Sequence, residues 1–194
     1  MISALVATMW LHAATVTATP APPPSVQRLE LPRPIPDVEV IDQDGHTRKF
    51  YSELIRGKTV VVNAVYTSCT SYCPLMGKTF DKLQAALGDR LGRDVYLVSI
   101  SRDPENDTPE QLAQWRQRFH GKRGWTFVTG KKEAIDAVLL VLTGDPAFKG
   151  GHSQIALLGD DQTGIWLREY GGAEPAQYQR LLQYLSDERS KTRN

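Results

Sequence analysis

Apolar segments with strand and helix periodicity alternate along the central part of the chain. Two runs of β-branched and apolar residues, 59–66 and 95–100, are typical of strands buried on both faces of a sheet. Apolar residues at helical spacing predict four helices, at 74–87, 108–120, 132–142 and 175–186. The second helix opens with Thr108-Pro109-Glu110-Gln111, which predicts a capping box with Thr108 as the N-cap. This alternation predicts an α/β domain.

Shorter strands complete the pattern. Residues 36–42 alternate and then meet Asp44-Gly45, which predicts an N-terminal hairpin with 46–50 as the returning strand. Three further segments predict strands, the last two as a hairpin: 125–128, 154–158 and 165–170. The resulting order fits a thioredoxin-like α/β domain over 36–187, a three-layer fold with a central mixed sheet and an added N-terminal β-hairpin.

Both ends of the chain differ in composition from this domain. Residues 1–18 carry no charged side chain and end in Val16-Thr17-Ala18, a small-x-small pattern that predicts a cleaved signal peptide and a periplasmic location. An ordinary N-terminal helix is the alternative. Residues 19–35 are rich in proline and predict an extended leader outside the core, while 188–194 predict a polar tail. The apolar stretch is shorter than a spanning helix needs, so we do not expect a membrane anchor.

Composition excludes several classes of function. The 194 residues hold 23 basic and 22 acidic side chains, a net charge of +1 that argues against a nucleic-acid partner. No glycine-rich phosphate loop follows a predicted strand, so we expect no nucleotide ligand. The two cysteines are too few for a disulfide-dense scaffold. We expect an exported domain that acts as a monomer.

The two cysteines, Cys69 and Cys73, lie where a predicted central strand ends and a helix begins, and Pro74 follows them. Free backbone N–H groups and the helix dipole stabilise thiolates at such a junction. If the first turn is helical, the C-x₃-C spacing places both residues on one face. The pair could close a disulfide, or hold a soft ion such as Cu(I). A static structural disulfide is the alternative, although so short a loop would add little stability.

A histidine could supply a third ligand to such an ion. His46 follows a turn and His120 ends a helix, so we expect both to be solvated. His152 precedes the strand at 154–158, in a loop that faces the cysteine turn in thioredoxin-like folds. The acidic cluster of Asp103, Glu105 and Asp107 is expected to be a solvated loop at a helix N-terminus, with a secondary metal site or a partner surface as the alternative.

Four motifs, taken in order, resemble the Sco/SenC family of copper-binding cytochrome c oxidase assembly factors. They are the strand that leads into Cys69 and Cys73-Pro74, the segment 98–110 with its Asp-Pro-Glu and Asp-Thr-Pro-Glu runs, the segment 125–130, and His152-Ser153. The resemblance covers roughly residues 36–186. The chain departs from many members in having Thr70-Ser71-Tyr72 between its cysteines, where those members have Pro-Asp-x.

The resemblance implies a trigonal copper site formed by Cys69, Cys73 and His152. It also implies a chaperone that delivers copper to the dinuclear copper site of cytochrome c oxidase subunit II, or keeps the cysteines of that partner reduced. The alternative is an enzyme, a thiol–disulfide oxidoreductase in which Cys69 attacks a partner disulfide and Cys73 resolves the mixed disulfide.

Overall fold

The computed structural model describes residues 26–31, 34–144, 155–170 and 172–192. Its strands are β1 (Val26–Leu29), β2 (Glu39–Asp42), β3 (Thr47–Lys49), β4 (Thr59–Val65), β5 (Val95–Ser101), β6 (Trp125–Thr129), β7 (Ile155–Asp160) and β8 (Ile165–Tyr170). Its helices are α1 (Tyr72–Leu87), α2 (Pro109–Arg118), α3 (Lys132–Thr143) and α4 (Pro175–Thr192), with a π-helical turn at Phe50–Ile55 and a 3₁₀ turn at Gly88–Arg90.

One mixed sheet runs through the domain in the order β1-β8-β7-β4-β5-β6-β2-β3. The central strands β4, β5 and β6 are parallel, and the other neighbouring pairs are antiparallel. The predicted N-terminal hairpin is present as β2 and β3, and β2 attaches it to β6. Its second strand is shorter than predicted because Phe50 already begins the π-helical turn, in which Phe50, Leu54 and Ile55 are buried.

Helices cover both faces of this sheet. One face packs against α1, α2 and α4 through residues such as Phe80, Trp115 and Tyr178. The other packs against α3 and the π-helical turn, with Ile135 and Phe50 among the buried residues. The predicted three-layer thioredoxin-like fold is therefore confirmed.

The predicted capping box of α2 is also present. The Thr108 hydroxyl accepts a hydrogen bond from the Gln111 backbone N–H at 3.3 Å, and the Gln111 carboxamide oxygen accepts one from the Thr108 N–H at 2.8 Å. These bonds fix the start of α2, the helix that lies beside the cysteine turn.

The expectation that residues 19–35 lie outside the core is wrong for their described part. Residues 26–29 form β1, which pairs antiparallel with β8, and Val26 and Leu29 pack into the two core layers. The apolar residues between the prolines are sufficient for this segment to form an edge strand. Edge strands tolerate proline, because one of their sides does not pair with another strand.

The predicted polar tail at 188–194 is helical as far as Thr192. Arg189 explains this extension, because its guanidinium pairs with the fully buried carboxylate of Asp160 and donates to the Thr59 hydroxyl at 2.8 Å. The predicted signal peptide lies outside the described residues. Among the residues that the structure describes, no helix is long and apolar enough to cross a membrane.

Candidate metal centre

The cysteines occupy the turn that follows the carboxyl end of β4. Cys69 and Cys73 are both free thiols, and only 3% and 8% of their respective surfaces are exposed. The chain leaves β4 at Val65 and enters α1 at Tyr72, so Cys69 precedes the helix and Cys73 lies in its first turn. The condition for a shared helical face, a first turn that is already helical at Cys69, is therefore not met, and a different interaction brings the two residues together.

The Cys69 sulfur takes the place of a helix cap. Ser71 is the N-cap residue of α1, but its side chain makes no capping hydrogen bond. The backbone N–H of Cys73, at the second helical position, donates instead to the Cys69 Sγ at 3.3 Å. This N–H would otherwise be one of the unpaired donors at the helix terminus. Capping by sulfur thus holds the two thiols against each other.

The same contacts separate the acidities of the two thiols. Burial raises the pKa of Cys69, but hydrogen bonds from the Cys73 thiol, the Tyr66 hydroxyl and the backbone N–H groups of Cys73 and Ser71 outweigh it, and the pKa falls to about 6. Burial, followed by the hydrogen bond to Cys69, raises the pKa of Cys73 to about 12. At neutral pH the pair therefore holds one proton, with Cys69 as thiolate and Cys73 as thiol.

Tyr66 and Arg102 complete the polar surroundings of the sulfurs. The Tyr66 hydroxyl donates to Cys69, and this bond, more than burial, raises the pKa of the tyrosine. The Arg102 guanidinium lies 5.5 Å from the centre of the Tyr66 ring, and its charge favours thiolate at Cys73. The site thus provides a hydrogen-bond donor and a cation for negative charge on sulfur.

The buried carboxylate of Asp107 holds the cysteine turn in place through hydrogen bonds. One of its oxygens accepts from the Thr67 backbone N–H at 2.9 Å and the Thr67 hydroxyl at 2.5 Å, and the other accepts from the Ser101 hydroxyl at 2.6 Å. Only 2% of Asp107 is exposed. The expectation of a solvated acidic loop is therefore wrong for Asp107, which ties the cysteine turn to the end of β5. It holds for Glu105, which is exposed.

Two of the three histidines considered as ligands, His46 and His120, lie away from the cysteines. His46 is in the hairpin next to Asp42, and His120 pairs with Asp81 at 3.1 Å. Both side chains are largely exposed, at 66% and 76%, as predicted. Asp42, Asp44 and His46 could together face a cation, but the Asp42 carboxylate already accepts from two backbone N–H groups and an arginine.

His152 lies outside the described residues, so its place in the site stays a prediction. The described strand that follows it, β7, runs antiparallel beside β4, and Ala156 pairs with Asn63 two residues before the end of β4. The start of β7 therefore lies near the strand end from which the cysteine turn departs.

Comparisons with known proteins agree with this architecture. A family model described as SCO1/SenC matches residues 32–142. The SCO1 protein homolog of Bacillus subtilis (strain 168) is 28% identical over 150 residues, which are 73% of this chain and 75% of that protein. The chain belongs to the SCO1/SenC family, as its motifs predicted.

Solved structures show the same fold. BsSco, a member of the Sco family of cytochrome c oxidase assembly proteins in which a disulfide switch was identified, has a TM-score of 0.63 at 24% identity, covering 78% of this chain and 92% of its own. Copper-bound yeast Sco1 has a TM-score of 0.63 at 15% identity, covering 79% of this chain and 94% of its own.

The reduced protein should titrate as one acidic and one reluctant thiol. Because the pKa of Cys69 lies near 6 and that of Cys73 near 12, the ultraviolet absorbance of thiolate should rise by one equivalent around pH 6. In Cys69→Ser this step should disappear, since burial still raises the pKa of Cys73. A titration of both thiols near the ordinary value of 9 would contradict the capping arrangement.

Replacing Asp107 should loosen the turn. In Asp107→Asn an amide group faces hydroxyl and N–H donors, and we expect a loss of about 1–3 kcal/mol in the free energy of unfolding of the reduced protein. The control is Asp103→Asn, because the Asp103 carboxylate accepts from the exposed Asn106 side chain, and this change should cost less than about 0.5 kcal/mol. Equal losses in denaturant titrations would show that Asp107 has no special role.

Proposed function

We propose that this chain is an exported copper-binding protein in which Cys69 and Cys73 hold one copper ion and His152 supplies a third ligand. The observation that carries the proposal is the contact between two buried free thiols at the start of α1, with the Cys73 N–H donating to the Cys69 sulfur at 3.3 Å. The copper-bound structure of yeast Sco1, which has the same fold, supports copper as the metal.

The chemistry of the thiol pair suits Cu(I). Thiolate is a soft ligand, and Cu(I) prefers soft ligands in low coordination numbers. Cys69 already carries its charge at neutral pH, so an entering Cu(I) ion has to displace one proton, that of Cys73. Two thiolates and Cu(I) leave one negative charge, which the N-terminus of α1 and the guanidinium of Arg102 stabilise.

An imidazole from His152 would extend the site to Cu(II). Cu(II) prefers more ligands than Cu(I) and accepts imidazole nitrogen well. A site of two thiolates and one imidazole would therefore hold copper in both oxidation states, and the change in coordination would allow its release to a partner.

The partner that we propose is cytochrome c oxidase subunit II. The chain would deliver copper to the dinuclear copper site of that subunit, or keep its cysteines reduced so that copper can enter. The membership of BsSco in a family of cytochrome c oxidase assembly proteins supports this proposal. We place the protein in the periplasm as a monomer, with residues 1–18 removed as a signal peptide and the functional domain extending over 36–187.

A second function is favoured by the unequal acidities of the thiols. The Cys69 thiolate would attack a partner disulfide, form a new S–S bond with one partner sulfur and release the other as thiolate. Cys73 would then lose its proton, attack the Cys69 sulfur and release the second partner thiolate. The site would end as a disulfide and the partner as a dithiol. Reduction of this kind would prepare a copper acceptor, so the two functions are compatible.

Anaerobic titration with Cu(I) against a competing chelator tests the main proposal. The wild type should bind one equivalent, and Cys69→Ala and Cys73→Ala should each lose at least about tenfold in affinity, since one thiolate cannot replace two. Thr70→Ala, an exposed position in the same turn, is the control and should bind as the wild type does.

The affinity of the wild type for Cu(I) should also fall as the pH is lowered, because protons compete for the ligands. Wild-type affinity in either cysteine variant would overturn the shared-ion site.

His152→Ala separates copper chemistry from thiol chemistry. This variant should lose most of the Cu(II) complex and its thiolate charge-transfer absorption, while some Cu(I) binding and the ability to form the Cys69–Cys73 disulfide remain. His120→Ala is the matched control, because that imidazole pairs with Asp81. An unchanged Cu(II) spectrum in His152→Ala would remove this residue from the site.

A further inference from the structure

A cleft of about 350 Å³ lies beside the cysteine turn. One wall is the turn itself, at Thr67 and Ser68, directly before Cys69. The other wall is α2, which contributes Gln111, Gln114, Trp115 and Arg118. These four positions follow helical spacing and therefore lie on one face of α2. The capping box that starts α2 and the hydrogen bonds that Asp107 accepts from Thr67 hold the two walls in a fixed relation.

The helical wall combines a buried aromatic ring with an exposed hydrogen-bond donor. Trp115 is 4% exposed, and within the part of the chain that the structure describes its indole N–H has no hydrogen-bond partner. The indole nitrogen has almost no accessible surface, so an acceptor in the cleft does not reach it, and Trp115 contributes the apolar part of this wall. The Gln111 carboxamide uses its oxygen to cap α2, which leaves its NH₂ group for another acceptor.

Arg118 adds an uncompensated positive charge to this wall. Its guanidinium lies 5.4 Å from the Trp115 ring centre and 5.5 Å from that of Phe119. Over the described ranges, no carboxylate lies within ion-pair distance of it. Stacking on two rings orients a guanidinium while leaving its N–H groups free to bind a carboxylate.

We propose that this cleft is the docking surface for an extended acidic segment of the partner protein, next to the partner's own metal-binding or redox cysteine. Backbone carbonyl oxygens of that segment would accept from the glutamine side chains, and an Asp or Glu side chain would pair with Arg118. The segment would pass Ser68 and bring the partner sulfur to Cys69. This proposal rests on the proposed function, since it assumes that the cysteines act on another protein.

Exposed apolar side chains continue this surface beyond the cysteines. Tyr72 and Leu75, in the first turn of α1, are 42% and 52% exposed. Large apolar side chains that flank a reactive turn on the surface are typical of protein contacts. The partner would thus contact hydrogen-bond donors of the cleft on one side of the cysteines and the apolar side chains of Tyr72 and Leu75 on the other side.

Disulfide exchange with charged peptide probes tests the docking surface. Two synthetic peptides carry one cysteine joined to thionitrobenzoate, flanked by Asp and Ser in the acidic probe and by Lys and Ser in the basic probe. In Cys73→Ser protein the Cys69 thiolate attacks the peptide sulfur, a Cys69–peptide S–S bond forms, and thionitrobenzoate leaves with the electron pair of the broken S–S bond. Its absorbance gives the rate.

The acidic probe should react severalfold faster than the basic probe. Adding Arg118→Gln should slow the acidic probe about two- to fivefold, as expected for one partly exposed ion pair. The control is Arg90→Gln, an equal change of charge in the 3₁₀ turn before β5, at the opposite end of the sheet. It should leave the rates unchanged.

Two further measurements keep the result interpretable. A small uncharged disulfide should react equally with all variants, which shows that Cys69 itself is unaltered. Arg118→Gln with both cysteines intact should bind Cu(I) as the wild type does, so failure of the proposed copper function and failure of the docking surface are distinguishable. Equal rates for the two probes, or an equal effect of Arg90→Gln and Arg118→Gln, would overturn the docking proposal.

Discussion

The site depends on one hydrogen bond, from the backbone N–H of Cys73 to the sulfur of Cys69 at 3.3 Å. Through this bond Cys69, which precedes α1, acts as the cap of the helix that contains Cys73. The bond also holds the two sulfurs together, so that the Cys73 thiol, the Tyr66 hydroxyl and the backbone N–H groups of Cys73 and Ser71 lower the pKa of Cys69, while burial raises the pKa of Cys73. A charged sulfur and a protonated sulfur in contact form a pair that a soft cation can enter by displacing one proton.

The rest of the fold serves to keep that turn in place. The parallel strands β4 and β5 end at the same edge of the sheet, so the segments that follow them meet there. Asp107 uses this proximity and binds Thr67 from one segment and Ser101 from the other. Since α2 starts two residues after Asp107, the same carboxylate also sets the position of the helix that faces the cysteine turn. Metal binding and partner docking would thus depend on a common support.

The sequence predicted the elements well because most of them carry a strong local signal. The β-branched run of β4, the capping box at Thr108 and the Asp44-Gly45 turn each determine local structure through neighbouring residues alone. The failures came from long-range contacts. Residues 26–29 become a strand through pairing with β8, and α4 continues to Thr192 because Arg189 reaches Asp160. The cysteines were identified by spacing and position, whereas buried Asp107 looked like a loop acid, since no local pattern shows which acid will be enclosed.

X-ray absorption at the copper edge of the anaerobically Cu(I)-loaded protein tests the central claim most directly, because it reports the atoms bound to the metal. The account predicts two sulfur ligands in the wild type, together with a nitrogen ligand that is absent in His152→Ala. It also predicts that each single cysteine variant retains at most one sulfur ligand. A first coordination shell of oxygen and nitrogen alone, or an unchanged sulfur count in Cys69→Ala, would contradict the assignment of the thiol pair as the metal site.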